Sequence, residues 1–347
     1  MVGAVLLSIP ALEGAADVWP SCMARFPSSG QPGYRLVPSP GAGAGEEEMR
    51  PLVSVVCACF NISKYLDEAI ASIYAQGYPN LELIVVDDGS TDDTYERLAM
   101  LRERHGFQLY RQANRGVSDA LNHGLRHARG EFVMTPDLDD ILLPGALDTR
   151  VDYLLAHPEV GCVGGFNICI DSAGNEVARD GFSEGCVERW GFDAALAETL
   201  VVMPLTALYR MDAMKRADFF DPSIRVQDFQ ITLRIAAQGY EIHRLPAYMG
   251  RYRRHGSGLS GRYKLNYEAD MQAIEPYRAH PNYRRARQLI LNKALKKAVV
   301  QDGRYAWQLF RSVPLRAWDR VTLKRFWRFL RYLPVLGVKG GTDVAGR

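Results

Sequence analysis

Glu131-Phe-Val-Met-Thr-Pro-Asp-Leu-Asp-Asp140 runs from a short apolar, β-favouring segment directly into three carboxylates within four positions. Carboxylates set so close repel one another, and a chain that gathers them where a strand gives way to a turn needs a counter-charge. Two alternatives are open on these residues alone. One is a solvated acidic turn, since Asp is common wherever a strand ends. The other is a site for a hard divalent cation, Mg²⁺ or Mn²⁺, which takes oxygen ligands and leaves its remaining positions to water and phosphate.

The flanking chain narrows the choice. Leu52-Val-Ser-Val-Val-Cys-Ala-Cys-Phe60 is a near-continuous β-favouring run, the mark of a strand buried on both faces of a parallel sheet. Leu66, Ile70, Ile73 and Tyr74 then recur at helical spacing until Gly77 and Pro79 end the helix. A second strand over 81–86 opens into Asp87-Asp-Gly-Ser-Thr-Asp-Asp93, and Leu98 and Leu101 mark a second helix. A third strand over 107–111, a third helix over 117–128 and a fourth strand over 131–135 follow. This alternation predicts a doubly wound α/β sheet, in which ligands bind beyond the carboxyl ends of the strands. Asp87, Asp88 and the cluster at 137–140 then share one crevice, which favours the cation–phosphate site.

The second half is less regular. The pattern predicts a helix over 144–157, a strand over 160–170, and a loop or short helices over 181–199 beside an acceptor site. A strand follows over 203–209. Phe229, Leu233 and Ala236 give helical spacing over 227–237, which puts Asp228 in a first turn, where a carboxylate is also an ordinary dipole partner. Residues 248–260 carry Arg251, Arg253, Arg254 and His255 among glycines and predict a flexible basic loop able to approach an anion.

With 347 residues, 47% hydrophobic and 24% charged, the chain cannot be disordered as a whole. Its net charge of +2 conceals an asymmetry: from Arg251 onward there are 22 Lys and Arg against 6 Asp and Glu, and before it 20 against 34. The six cysteines lack paired metal or redox spacing and predict buried thiols in a reducing compartment, the cytoplasm. No run approaches the roughly 20 apolar residues needed to cross a bilayer. The apolar start at 2–9 lacks a basic flank and is broken by Pro10, so it does not predict an export signal. Residues 1–49, rich in Gly, Pro, Ser and Ala, predict a flexible leader.

Residues 263–347 predict basic helices. Near the end, Phe326, Phe329, Leu330 and Leu333 fall on one helical face and Lys324, Arg328 and Arg331 on the other. Such a helix either lies in an anionic membrane surface, through 310–335 at the inner face of the membrane, or packs onto the domain before it. No nucleic-acid recognition motif accompanies the charge, so nucleic acid is not an expected partner.

Taken in order, Val53-Ser-Val-Val with Phe60-Asn61, Val86-Asp-Asp-Gly-Ser-Thr-Asp92, Asn114-Arg-Gly-Val-Ser118 with Asn122 and Gly124, Asp137-Leu-Asp-Asp140, Asp228 with Arg234, and Tyr252-Arg-Arg-His255 with Ser260 resemble the family 2 glycosyltransferases. The resemblance covers 52–261 and implies an α/β fold of the GT-A type: a Rossmann-like, mostly parallel mixed sheet flanked by helices, with a C-terminal helical extension. Domain bounds of 50–262 follow, with a nucleotide half over 52–140, an acceptor half over 141–262, and a basic helical region over 263–347. It further implies Phe60, Asn61, Asp87, Asp88, Asn114, Gly116 and Asp137 around the nucleotide. Asp139 and His255 would lie at a Mn²⁺ or Mg²⁺ ion, Asp140 beside the donor sugar or metal, Arg253 and Arg254 at the diphosphate, and Asp228 would be the catalytic base. Ala58-Cys59, Leu121 and Gln227 depart from the family's usual residues.

The implied activity is transfer of a sugar, with inversion, from a nucleotide-diphosphate donor of the UDP-sugar kind to a hydroxyl of a saccharide or lipid-linked acceptor, as in surface polysaccharide or glycolipid assembly. The alternative is a non-catalytic protein that binds nucleotide sugar or polysaccharide on a degenerate GT-A fold. An aspartyl phosphotransferase also has two acids after a strand but needs Thr or Val where this chain has Ile141. A receiver domain would leave Asp228 and His255 without a purpose, and a nucleotidyltransferase needs a glycine-rich basic loop where Phe60-Asn-Ile-Ser63 stands.

Overall fold

Val53–Cys59 (β1) pairs in parallel with Leu81–Asp87 (β2) on one side and Phe132–Met134 (β4) on the other, and β2 pairs in parallel with Gln108–Arg111 (β3). The computed structural model describes residues 50–182, 185–256 and 261–338, with side chains as far as Tyr332; the leader expected over 1–49 and Ser260 lie outside them. Between the first strands run Leu66–Tyr74 (α1), Thr94–His105 (α2) and Val117–Leu125 (α3). All of β1 except Ala58 is buried, which explains its unbroken apolar character. α3 lies close against the sheet because Gly124 has no Cβ: one would stand 2.5 Å from Val56 Cγ1. Leu121 belongs to this packing, buried with Val56 and Ile84, so its departure from the family residue falls in the core and not on the nucleotide side.

After the acidic turn come Ile141–Leu142 (β5), Ala146–Ala156 (α4), the fully buried Val160–Ile170 (β6), Glu176–Arg179 (β7), Glu188–Trp190 (β8), Phe192–Glu198 (α5), Leu208–Arg210 (β9), Met211–Arg216 (α6), Asp228–Ala236 (α7) and Glu241–Arg253 (β10). The main sheet order is β3-β2-β1-β4-β9-β6-β10-β5, with β7 on β6 and β8 on β10. β9 is antiparallel to both β4 and β6 and joins the parallel nucleotide half to the parallel β6–β10 pair. The sheet is therefore mixed and mostly parallel, as expected.

Two expectations about strands need correction. The strand predicted over 203–209 is confined to Leu208–Arg210, because the Met203 carbonyl accepts the N–H groups of Thr206 and Ala207 and makes a turn there. The basic loop predicted over 248–260 is strand as far as Arg253: Arg251, Tyr252 and Arg253 lie in register with Ile168, Cys169 and Ile170 of β6.

Tyr263–Ile274 (α8), Tyr283–Gln301 (α9), Gly303–Arg311 (α10) and Arg320–Val338 (α11) complete the chain. Ala269, Ala273 and Ile274 of α8 and Ala286 and Ile290 of α9 are buried in the same core as Phe229 of α7, so the segment boundary at 262 does not separate two cores. Phe326 and Phe329 of α11 pack against Phe310 of α10, and Phe329 is buried. Fully burying a Phe side chain contributes roughly 1.5–3 kcal/mol, so Phe329 docks α11 on the protein. Leu330 does not share that face: it is exposed, with Leu323 and Trp327, on the outer side. No described helix is long and apolar enough to cross a membrane.

Candidate active site

Parallel pairing makes β1, β2 and β4 run in the same direction. Cys59 stands opposite Asp87 and Val55 opposite Met134, so the segments following these strands emerge at one edge. At the end of β1, Asn61 takes a left-handed backbone (φ 54°), and its Oδ1 accepts the Thr91 N–H at 2.8 Å, tying the β1 end to the loop after β2. Phe60 beside it is 44% exposed.

Asp87 and Asp88 are both buried. Asp87 accepts from the Ser90 N–H and pairs with Arg111 at 3.1 Å; Asp88 accepts from the N–H groups of Arg115 and Gly116, at 2.9 and 2.8 Å, and from Gln112. Their carboxylates hold the loop that displays Asn114, which is exposed, against the end of β2. Gly89 lets the two loops touch, since a Cβ there would lie 2.8 Å from the Asn114 nitrogen. Gly116 (φ 96°) supplies the turn into α3.

Asp137, Asp139 and Asp140 each offer one oxygen, all within 4.8 Å of one another. Burial, then the neighbouring Asp139 charge, pushes the Asp137 and Asp140 carboxyls well above the usual range, and Asp228 adds to the rise at Asp137. Crowded hard oxygen donors with raised proton affinity are the donor set that a divalent cation relieves, so these residues fit Mn²⁺ or Mg²⁺. Asp140 Oδ1 also accepts the Arg253 backbone N–H at 2.7 Å, and His255 Nε2 lies 2.7 Å from Asp139 Oδ2.

The end of β10 thus closes the acidic turn from the other side. Arg253 is buried: its guanidinium donates to the Asp139 carbonyl at 2.8 Å and to Glu68 at 2.6 Å, and lies over the Tyr65 ring at 4.8 Å. The Tyr65 ring also meets His255, with centroids 5.2 Å apart. Arg253 is therefore committed beneath the cluster, whereas Arg254 is exposed. The sequence did not disclose Tyr65 and Glu68, which belong to the turn and helix after β1 and become part of the site only because β10 reaches them.

Asp228 opens α7, and burial pushes its carboxyl up to about 6. A carboxyl poised there is a competent proton acceptor near neutral pH. Its charge adds to the rise at the Asp137 carboxyl, so the start of α7 lies within electrostatic reach of the acidic turn.

Residues 54–218 match the family model described as Glycosyl transferase family 2. A poly-β-1,6-N-acetyl-D-glucosamine synthase of Staphylococcus epidermidis is 26% identical over 196 residues, 55% of this chain and 47% of that protein. A synthase of the same name from Staphylococcus aureus strain COL is 26% identical over 203 residues, 57% of this chain and 48% of that one. The chain spans about half the length of the curated relatives it matches. Among solved structures, S. aureus TarS 1–349 in complex with UDP-GlcNAc superposes with a TM-score of 0.61 at 19% identity, covering 83% of this chain and 88% of that one. A mannosyltransferase, PcManGT from Pyrobaculum calidifontis, in complex with GDP-Man and Mn²⁺, superposes with a TM-score of 0.52 at 23% identity, covering 84% and 87%. The two structures share the fold of this chain.

Proposed function

We propose, on the match of residues 54–218 to the glycosyl transferase family 2 model, that the chain is a glycosyltransferase of that family and transfers a sugar, with inversion, from a UDP-sugar to an acceptor hydroxyl, using Asp228 as the base. UDP-GlcNAc is the leading donor, by analogy with the synthases named above and with the ligand of TarS. The strongest support is the separation of roles: three crowded carboxylates at one turn and, within electrostatic reach of them, an enclosed carboxyl pushed up to about 6 at the start of α7.

The chemistry balances in one displacement. The acceptor oxygen bonds to the anomeric carbon, the bond from that carbon to the diphosphate oxygen breaks, the electron pair leaves with the nucleoside diphosphate, and the acceptor proton passes to an Asp228 oxygen. Asp137 and Asp139 would hold a divalent cation, with Asp140 in support; bound there, it would supply charge stabilisation to the departing diphosphate. Arg254 and His255 add positive charge and a hydrogen-bond donor at the same edge. Phe60 offers a stacking face to the base, Asp88 keeps the Asn114–Gly116 loop in place beside it, and Arg253 fixes the backbone of the acidic turn.

A saccharide acceptor of surface-polysaccharide or glycolipid assembly suits this site. Contact with an anionic membrane, which a lipid-linked acceptor would require, is supported by the outer face of α11, where Leu323, Trp327 and Leu330 are exposed among Lys324, Arg328 and Arg331. The deciding assay incubates the full chain with UDP-GlcNAc, other UDP-sugars, GDP-mannose and dTDP-sugars, with Mn²⁺ or EDTA, and measures nucleoside diphosphate release. Metal-dependent release from one donor is expected. Tight donor binding with no release from any donor, in the presence of saccharide acceptors, would favour the non-catalytic binding protein.

A further inference from the structure

The connection from α6 to α7, residues 217–227, delivers Asp228 to the start of α7, and four side chains grip it by its backbone. Arg234 of α7 donates to the carbonyls of Ala217 at 2.9 Å, Phe219 at 3.1 Å and Asp218 at 3.2 Å. Gln230, also of α7, accepts the Asp221 N–H at 2.6 Å and donates to the Ile224 and Val226 carbonyls at 3.2 and 3.1 Å. The other two side chains belong to α3. Asn122 clasps Phe220, donating to its carbonyl at 2.7 Å and accepting its N–H at 3.2 Å, and Ser118 donates to the Ile224 carbonyl at 2.9 Å. Gln230 donates to the Ser118 hydroxyl at 3.3 Å, so the grips from α3 and α7 meet.

Water satisfies the backbone of an ordinary surface loop, so side chains committed to carbonyls along the length of this one hold it in a set shape. That shape is strained: Asp218 and Phe219 take left-handed backbones, φ 54° and 51°. Such conformations persist only where the surroundings impose them, and they gather where a fold positions functional groups. Phe220 and Ile224 are buried, which anchors the loop at the two places that α3 holds. α3 also starts from the other loop of the site. Gly116, whose N–H goes to the Asp88 carboxylate, accepts the Ala120 N–H in the first turn of the helix. One short helix is therefore joined at its start to the loop that displays Asn114 and, through Ser118 and Asn122, to the loop that ends at Asp228.

We infer that Ser118 and Asn122 are positioning residues for Asp228, fixing through α3 the placement of the proton acceptor relative to the nucleotide loop. Neither side chain touches substrate in this role; each acts through the 217–227 backbone. Arg234 and Gln230 ride on the same helix as Asp228 and move with it, whereas Ser118 and Asn122 tie it to a second element. Misplacing a reacting group by about 1 Å can cost 10²-fold in rate, so such a tether contributes to turnover and not to donor affinity. The inference rests on Asp228 acting as the base.

The test uses the full chain with UDP-GlcNAc, Mn²⁺ and oligosaccharides of β-1,6-linked N-acetylglucosamine as the probes, with UDP release giving kcat and donor KM and calorimetry giving UDP affinity. Asn122→Ala is expected to lower kcat by about tenfold or more while donor KM and UDP affinity stay within about twofold. Unchanged UDP affinity also reports an intact fold. Combined with Asp228→Asn, it should slow turnover no further than Asp228→Asn alone, because the tether then has no base left to place. If Asn122→Ala does not fold, Ser118→Ala carries the same test with a fall of about threefold or more, since the Ile224 carbonyl keeps its Gln230 donor. An unchanged kcat, a loss carried by KM or UDP affinity instead, or an effect that multiplies with that of Asp228→Asn overturns the positioning role. Wild-type turnover by Asp228→Asn, or no UDP release by the wild type, overturns instead the reading of the base and the reaction on which the role rests.

Discussion

His255 Nε2 lies 2.7 Å from Asp139 Oδ2, joining the segment after β10 to the acidic turn after β4 across 116 positions of sequence. The contact holds a carboxylate in one orientation before any cation arrives. Groups that orient metal-binding carboxylates typically contribute 10- to 100-fold to metal affinity or activity. His255→Ala should therefore raise the Mn²⁺ concentration needed for half-maximal nucleotide release by about 10-fold or more. An unchanged Mn²⁺ requirement would remove His255 from the metal's surroundings.

Protons and the cation compete for the acidic turn. The Asp137 and Asp140 carboxyls are raised in the metal-free protein, so their contribution to stability is present at low pH and is lost as pH rises through the folded-state values. Mn²⁺ needs them deprotonated. The increase in Tm on adding Mn²⁺ should therefore be larger at about pH 7.5 than at about pH 5.5, and should vanish in Asp139→Asn. Equal increases at both pH values would count against a carboxylate metal site.

Asp228 must lose its proton to act as a base, and it titrates at about 6. Nucleotide release in the presence of acceptor should fall as pH drops through about 6 and level off above about 7. Asp228→Asn should lower kcat by about 10²- to 10⁴-fold while leaving donor binding intact. Near-wild-type turnover in that variant would exclude Asp228 as the base.

Arg253 and Arg254 are adjacent but should behave differently. Arg253→Ala removes the donors to Glu68 and the Asp139 carbonyl from a buried position and should destabilise the fold by about 2–4 kcal/mol in urea denaturation. Arg254→Ala should change stability by no more than about 0.5 kcal/mol and act instead on turnover. The reverse pattern would exchange the roles given to them.

The outer face of α11 can be tested without dismantling its inner face. Leu323→Glu combined with Trp327→Glu leaves Phe326 and Phe329 in place and should abolish co-flotation with phosphatidylglycerol vesicles; neutral phosphatidylcholine vesicles should bind weakly in every case. Flotation that survives the double substitution would show that α11 is not the contact.

The parallel half of the fold is legible in the sequence because strands buried on both faces need continuous apolar runs, and β1 and β2 provide them. The acidic turn and Asp228 are legible because carboxylates at strand ends and in a helix's first turn have few uses. β10 is less so: arginines, tyrosines and a glycine look like loop, and only pairing with the fully buried β6 makes them strand. Arg253 is a matter of distance, since Glu68 lies 185 positions earlier and no local pattern announces their contact. The two apolar lines of α11 share one helical pattern, and which line is covered depends on Phe310, an element away.

β10 also sets a rule about length. Successive residues of a strand face opposite sides, so a single deletion between Met249 and Arg253 would bring Arg254 into the buried berth and carry Arg253 out of it. An exposed side chain of this strand, such as Arg251, can be exchanged at modest cost, but the spacing cannot drift. Over evolutionary time this stretch should therefore accept substitutions at its exposed positions while rejecting insertions and deletions.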